Sequence, residues 1–96
     1  MLKKSFLILY SIRSAYNVGA IFRTADAVGV SKIYLVGVTP CPADKFGRVS
    51  GQIAKTALGA EKAVVWEYKK TLPPLIKKLK KEIVEIIALE QDVQAV

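Results

Sequence analysis

The chain has 96 residues, which allows one small domain, and 52% of them are hydrophobic. Fifteen Lys and Arg against eight Asp and Glu give a net charge of +7, which favours an anionic partner such as RNA. One cysteine and no histidine exclude an intramolecular disulfide and argue against a zinc site. The apolar run Ser5–Tyr10 is too short for a membrane span. We therefore expect residues 1–96 to form a single cytoplasmic domain without metal.

Four apolar runs predict β-strands, because their uninterrupted hydrophobicity is typical of parallel strands that are covered on both faces. In chain order the predicted strands are Phe6–Tyr10, Ile33–Val38, Ala63–Glu67 and Ile83–Leu89.

Three helical segments alternate with these strands. The first starts with Asn17 as N-cap and ends before Gly29, which is suited to a left-handed C′ position. The second covers Val49–Leu58, with Gly59 as its C′ residue, and the third follows Thr71. Alternation of four strands with three helices predicts an α/β fold with a parallel sheet and flanking helices.

The segment Asn17–Gly29, Asn-Val-Gly-Ala-Ile-Phe-Arg-Thr-Ala-Asp-Ala-Val-Gly, resembles the first signature motif of the SpoU/TrmH branch of the SPOUT RNA methyltransferases. Three later blocks continue the resemblance in the family's order. They are Pro40–Pro42, Lys55–Glu61 and Ala88–Gln91. The resemblance covers the chain from Phe6 to Gln91, and several spaced blocks make it more specific than a single short motif.

The resemblance implies a homodimeric enzyme that transfers a methyl group from S-adenosylmethionine to a ribose 2′-hydroxyl of tRNA or rRNA. In this family two later blocks form a trefoil knot and most of the cofactor pocket, and neither block is in this sequence. We therefore expect the amino-terminal part of the fold, an incomplete SPOUT knot, and no activity from these 96 residues alone. The cofactor-binding residues are unassigned, with Glu90 at the edge of the pocket as the one candidate.

The resemblance places Arg23 and Asn17 in the catalytic site, with Arg23 as the catalytic arginine and Asn17 as the residue that positions it and the substrate. A guanidinium can stabilise an alkoxide-like oxygen and bind phosphate. Two structural alternatives stay open: an ion pair between Arg23 and Asp26 on the helix surface, and simple N-capping by Asn17. The row Ala20, Thr24 and Ala27 would allow close approach of a second helix in a dimer.

Four further residues are candidates for RNA contact: Arg13, Ser14, Gly19 and Lys55. Arg13 and Ser14 precede the motif at the carboxyl end of the first strand, where a solvated turn would explain them equally well. Gly19 would let a backbone or a nucleotide approach closely, or it is simply a turn residue in the first helical turn. Lys55 belongs to the block Lys55–Glu61, whose main role we interpret as structural, with contact to RNA as its second role.

The lysine cluster between Lys69 and Lys81 is either a phosphate-binding stripe or the solvated face of an amphipathic helix. Trp66 and Tyr68 could stack on bases, although packing against the core explains Trp66 better. Three other functions stay open. They are a non-catalytic RNA-binding module, a nucleotide-binding α/β domain, and a truncated product without a role of its own. Against the second stands the first strand-to-helix turn of this chain, which lacks the Gly-x-Gly-x-x-Gly expected of such a domain.

Overall fold

The computed structural model describes residues 4–79 and 84–90, in which four strands and four helices are found. In chain order they are β1 (Lys4–Tyr10), α1 (Ala15–Val28), β2 (Lys32–Val36), α2 (Gly51–Ala57), α3 (Ala60–Ala63), β3 (Val65–Lys69), α4 (Pro73–Leu79) and β4 (Val84–Glu90). The predicted start of the fourth strand at Ile83 lies outside the described residues.

The four strands form one parallel sheet in the order β3-β2-β1-β4. Ile8 in β1 pairs with Tyr34 in β2 and with Ala88 in β4. The predicted parallel α/β architecture is confirmed. Because all four strands run in the same direction, their carboxyl ends lie at one edge of the sheet, which is where open α/β sheets bind ligands.

The side chains of β1 and β2 alternate between two hydrophobic cores, one on each face of the sheet. On one face Leu7, Leu9, Ile33 and Leu35 pack with apolar residues of α1, α2 and α3. On the other face Phe6, Ile8, Tyr34 and Val36 pack with Leu75 and Leu79 of α4. Both faces of the central strands are therefore buried, which explains why their sequences show apolar runs without polar alternation.

The prediction of three helices was wrong, because the segment interpreted as one helix over Val49–Leu58 is divided. α2 ends at Ala57, and Leu58 and Gly59 both adopt left-handed backbone conformations, with φ of 52° and 91°. Two successive left-handed residues turn the chain, so that α3 starts a new short helix at Ala60.

Strand β2 ends two residues earlier than predicted, at Val36 instead of Val38. Gly37 follows with φ of 71°, and the buried hydroxyl of Thr39 then connects the ends of two strands. Its Oγ1 accepts from the backbone N–H of Ile12 at 3.0 Å and lies 2.8 Å from the carbonyl oxygen of Val36. These contacts hold the turns after β1 and β2 together at the carboxyl edge.

Candidate functional site

Helix α1 starts at the carboxyl end of β1, with Ser14 as its N-cap. The Ser14 hydroxyl oxygen accepts from the backbone N–H of Asn17 at 3.1 Å, and its carbonyl oxygen accepts from Val18 at 3.0 Å. The prediction of Asn17 as N-cap was therefore wrong by one turn, because a serine hydroxyl caps as well as an asparagine amide. The predicted helix end is confirmed, since Gly29 has a φ of 82°.

Arg23 of α1 and Lys55 of α2 line one cleft of about 360 Å³ between the two helices. The other residues of this α1–α2 cleft are Tyr16, Ala20, Thr24, Thr56 and Leu58. On α1 the lining residues recur at helical spacing, so they form one stripe along the helix. The cleft thus brings together one residue predicted to be catalytic and one predicted to bind RNA.

The guanidinium of Arg23 is exposed, and within the described residues no ion pair joins it to Asp26 or to another carboxylate. The alternative of a helix-surface ion pair with Asp26 is therefore not what the structure shows. An arginine without a carboxylate partner keeps its five N–H donors for an external anion. With Lys55 in the same cleft, the local charge is positive and suited to phosphate.

Gly19 is buried where α1 crosses α2. A Cβ atom at this position would overlap Oγ1 of Thr56 and lie 2.6 Å from the carbonyl oxygen of Ile53. The close approach predicted for Gly19 is thus an approach of protein backbone. The absence of a side chain lets the two helices that form the cleft touch each other.

The remaining predicted residues lie at or just before the start of α1, at the carboxyl edge of the sheet, and do not line the α1–α2 cleft. Arg13 and Asn17 are exposed at the start of the helix, and the Ser14 hydroxyl serves as the cap between them. Asn17 precedes Arg23 by six residues, which corresponds to about 9 Å along the helix axis. The candidate site therefore has two parts, the helix start at the carboxyl edge and the α1–α2 cleft.

The backbone places Glu90, the candidate for cofactor contact, at the carboxyl end of β4, where it pairs with Tyr10. This is the edge at which ligands of open α/β sheets bind. One acidic residue at an edge is not a binding site for a nucleoside-bearing cofactor. The described residues therefore do not by themselves fit S-adenosylmethionine.

The lysine cluster does not form one uniform stripe. Lys69 Nζ lies 2.6 Å from Glu67 Oε2, and Lys32 Nζ lies 2.8 Å from Glu67 Oε1. These two hydrogen-bonded ammonium groups lower the pKa of Glu67 to about 2. Lys69, Lys70 and Lys78 line a cavity of about 220 Å³, whereas Lys80 and Lys81 lie outside the described residues. Lys69 of this cluster thus already forms an ion pair with a carboxylate of the same strand.

Sequence reasoning missed Tyr16 as a cleft residue and Phe46 as an exposed aromatic side chain. Tyr16 precedes Ala20 by four residues and Arg23 by seven, so helical spacing from Arg23 could have identified it. Phe46 lies in an irregular loop between β2 and α2, where no periodicity points to a neighbour.

No group of three or more His, Cys, Asp or Glu side chains in residues 4–79 and 84–90 is placed to hold a metal ion. Nor does that part of the chain contain a helix with the length and hydropathy that a bilayer crossing requires.

Solved structures share this fold at low sequence identity. The AdoMet-bound rRNA methyltransferase from Sinorhizobium meliloti aligns with a TM-score of 0.77 and 20% identity, over 94% of this chain and 41% of that one. The TrmH/SpoU tRNA modifying enzyme of A. aeolicus aligns with a TM-score of 0.75 and 16% identity, over 96% and 54%. An RNA 2′-O ribose methyltransferase gives a TM-score of 0.72 and 14% identity, over 94% and 40%.

This chain thus spans about half the length of these structures or less, and the identities support a shared fold alone. No curated protein sequence matches it significantly. The sequence profile of the SpoU rRNA Methylase family, in contrast, matches residues 4–96, which is nearly the whole chain. The motif on α1, the parallel sheet and this match agree, and the chain belongs to the SpoU rRNA methylase family.

Proposed function

We propose that this chain is the amino-terminal portion of an RNA ribose 2′-O-methyltransferase that uses S-adenosylmethionine, with tRNA or rRNA as substrate. One observation carries the proposal. Arg23, on the helix with the family motif, lies in a cleft with Lys55 and has no carboxylate partner within the described residues.

Methyl transfer to a ribose hydroxyl would give Arg23 a chemical role, which an arginine held in a surface ion pair does not have. A ribose 2′-hydroxyl must lose its proton as its oxygen accepts the methyl group, and negative charge develops on that oxygen. A fixed guanidinium stabilises this charge and can also hold the adjacent phosphate in its planar fork. Asn17, exposed in the first turn of the same helix, would position the nucleotide from the carboxyl edge of the sheet.

The names of the structural relatives support the finer parts of the proposal. One is an AdoMet-bound rRNA methyltransferase, one is a tRNA modifying enzyme, and one is an RNA 2′-O ribose methyltransferase. The net charge of +7 is consistent with a polyanionic substrate.

We further propose that these 96 residues do not transfer a methyl group alone, since they correspond to 41% of the length of the AdoMet-bound relative. Calorimetric titration of S-adenosylhomocysteine into the folded chain tests this part. No detectable heat is expected, with circular dichroism as the control for folding. Binding in the micromolar range would contradict it, because a pocket would then be assembled from these residues.

Methyl transfer is tested with radiolabelled S-adenosylmethionine and a mixture of tRNA and rRNA. Transfer to a 2′-hydroxyl leaves a linkage that resists alkaline hydrolysis, whereas methylation of a base does not. Label in alkali-resistant dinucleotides would establish the reaction for this chain and refute its inactivity. Label in mononucleotides alone would refute 2′-O specificity.

A non-catalytic RNA-binding module is the second candidate, and the positive α1–α2 cleft favours it. This function predicts RNA affinity that falls steeply with salt, without S-adenosylhomocysteine binding or methyl transfer. Absence of RNA binding at low salt would remove both candidates.

We also propose a single cytoplasmic domain that pairs with a second copy through α1. Of the row Ala20, Thr24 and Ala27, the first two line the α1–α2 cleft, whereas Ala27 lies outside it, is exposed and is small enough for close helix contact. Light scattering at about 100 µM, a concentration at which weak dimers with micromolar Kd are populated, tests the pairing. A monomer mass would remove the dimer.

A further inference from the structure

A cleft of about 630 Å³ lies beside the edge strand β3, and the proposed site does not use it. Three aromatic side chains line it: Phe46 from the loop after β2, and Trp66 and Tyr68 from β3. We call it the aromatic cleft. Its volume is within the range of about 300–1,000 Å³ that is typical of sites for small organic groups.

The loop that carries Phe46 is held in shape by Asp44. Asp44 Oδ1 accepts from the backbone N–H groups of Phe46 at 2.8 Å and Arg48 at 2.9 Å. Gly47, with φ of 80°, completes the turn by donating its N–H to the carbonyl oxygen of Asp44. The ring of Phe46 is nevertheless 70% exposed. An exposed aromatic side chain on a constrained loop is suited to contact with a ligand.

The two aromatic residues of β3 alternate with Glu67, so they lie on the same face of the sheet. Trp66 packs against the core beneath α1 and α2 while it also lines the cleft. The Tyr68 hydroxyl donates to the carbonyl oxygen of Gly37 at 2.8 Å. These contacts fix the two rings, so little side-chain freedom is lost when a planar group binds between them and Phe46.

The rim of the aromatic cleft is positively charged. Lys45 Nζ and Arg48 Cζ each lie 5.2 Å from the centroid of the Phe46 ring. One carboxylate, Asp44, faces these two cations, and its Oδ2 lies 2.7 Å from Arg48 Nε. Planar apolar walls with a cationic rim match a nucleobase and its phosphates better than a purely apolar peptide.

We propose that the aromatic cleft binds one unpaired nucleobase of single-stranded RNA, with Lys45 and Arg48 on the neighbouring phosphates. The inference rests on the proposed RNA-binding function and adds a second contact region to the α1–α2 cleft. Because every base has a π face, the cleft would retain an unpaired nucleotide without selecting its identity.

Trp66 is the only tryptophan in the chain, so its fluorescence reports directly on the cleft. The probe is a decauridylate, and a ribose-phosphate decamer without bases is its matched control. Base stacking should quench Trp66 fluorescence with the decauridylate and not with the abasic decamer. Fluorescence anisotropy of the labelled RNA then gives the affinity of each variant.

Phe46→Ala should weaken decauridylate binding by about 5- to 160-fold, which is the range for removal of a stacking platform. Lys45→Gln should weaken binding and reduce the slope of log K against log salt concentration by about one. Val28→Ala removes an equally exposed apolar side chain at the end of α1 and should change neither quantity. Circular dichroism verifies that each variant is folded.

Different failures are distinguishable. Unchanged RNA affinity in Phe46→Ala, or equal binding of the abasic decamer, would overturn the proposal that the aromatic cleft binds a nucleobase. Either result would leave the proposed function intact. Self-association that Phe46→Ala abolishes would show an interface between copies instead. No RNA binding by the unaltered chain at low salt would overturn the cleft and the proposed function together.

Discussion

Gly19 of α1 lies directly against Thr56 of α2, and this contact sets the distance between the two helices that form the candidate cleft. The Thr56 hydroxyl lies 3.0 Å from the carbonyl oxygen of Tyr16, to which it can donate across the interface. A glycine and a hydroxyl thus join the first turn of α1 to the helix that carries Lys55.

Gly19→Ala should lower the free energy of unfolding by about 1–3 kcal/mol, because the added methyl group overpacks the interface. Urea denaturation measures the change. Thr56→Ala introduced together with Gly19→Ala should restore only part of the lost stability. The reason is that the backbone oxygen of Ile53 would still lie 2.6 Å from the new Cβ.

Gly51→Ala is the matched control for this prediction. Gly51 starts α2, and no atom lies within 4 Å of a Cβ built there. The substitution should leave stability unchanged or raise it by up to about 1 kcal/mol through helix propensity. An equal loss in both variants would contradict the packing explanation.

Thr39→Val should destabilise the protein by about 1–3 kcal/mol, although it preserves the shape of the side chain. The buried Thr39 hydroxyl accepts from the N–H of Ile12, which would lose its partner. Thr39→Ser retains the hydroxyl and should cost about 0.8 kcal/mol, the value of one methyl group. Urea unfolding of both variants separates the hydrogen bond from the packing.

The ion pairs of Glu67 predict a small loss of stability in acid. The pKa of Glu67 falls from an ordinary 4.5 to about 2 in the folded state, because Lys32 and Lys69 bind its carboxylate. A lowered folded-state pKa gives stability that is present above pH 4.5 and lost as the pH falls towards 2. Since the groups are partly exposed, we expect about 0.2–1 kcal/mol.

Glu67→Gln removes the titrating group. The difference in unfolding free energy between the unaltered chain and Glu67→Gln should therefore shrink between pH 5 and pH 2, about the range set by the two pKa values. A difference in unfolding free energy that is constant over this pH range would show that the ion pairs of Glu67 with its lysine partners do not stabilise the fold.

Arg23→Ala and Lys55→Ala should each weaken RNA binding and reduce the salt slope by about one, because each would remove one of the phosphate contacts that we propose for the α1–α2 cleft. Both side chains are exposed, so stability should change by less than about 0.5 kcal/mol. Arg23→Lys retains the charge and loses the planar fork, and it should bind RNA better than Arg23→Ala.

Lys62→Ala controls for the general loss of positive charge. Lys62 is an exposed lysine on α3 that does not line the α1–α2 cleft. An equal effect of Lys62→Ala and Lys55→Ala would mean that RNA senses net charge rather than this cleft.

The α/β class, the parallel sheet and the end of α1 at Gly29 could all be predicted from the amino-acid sequence. These features follow from local signals: apolar runs that need two covered faces, and a glycine where the backbone turns left-handed. The family motif, which is also local, predicts a catalytic role for Arg23 from the sequence alone.

The division between α2 and α3, and the set of predicted residues that meet, depend on how the helices pack and could not be predicted from the sequence. Leu58 carries no sequence signal for a left-handed conformation, and it adopts one because the chain must turn between α2 and α3. Gly19 could have faced RNA or protein, and the crossing of α1 over α2 buried it. The cleft of Arg23 and Lys55 depends on two helices packing on the same sheet face, which no local pattern specifies.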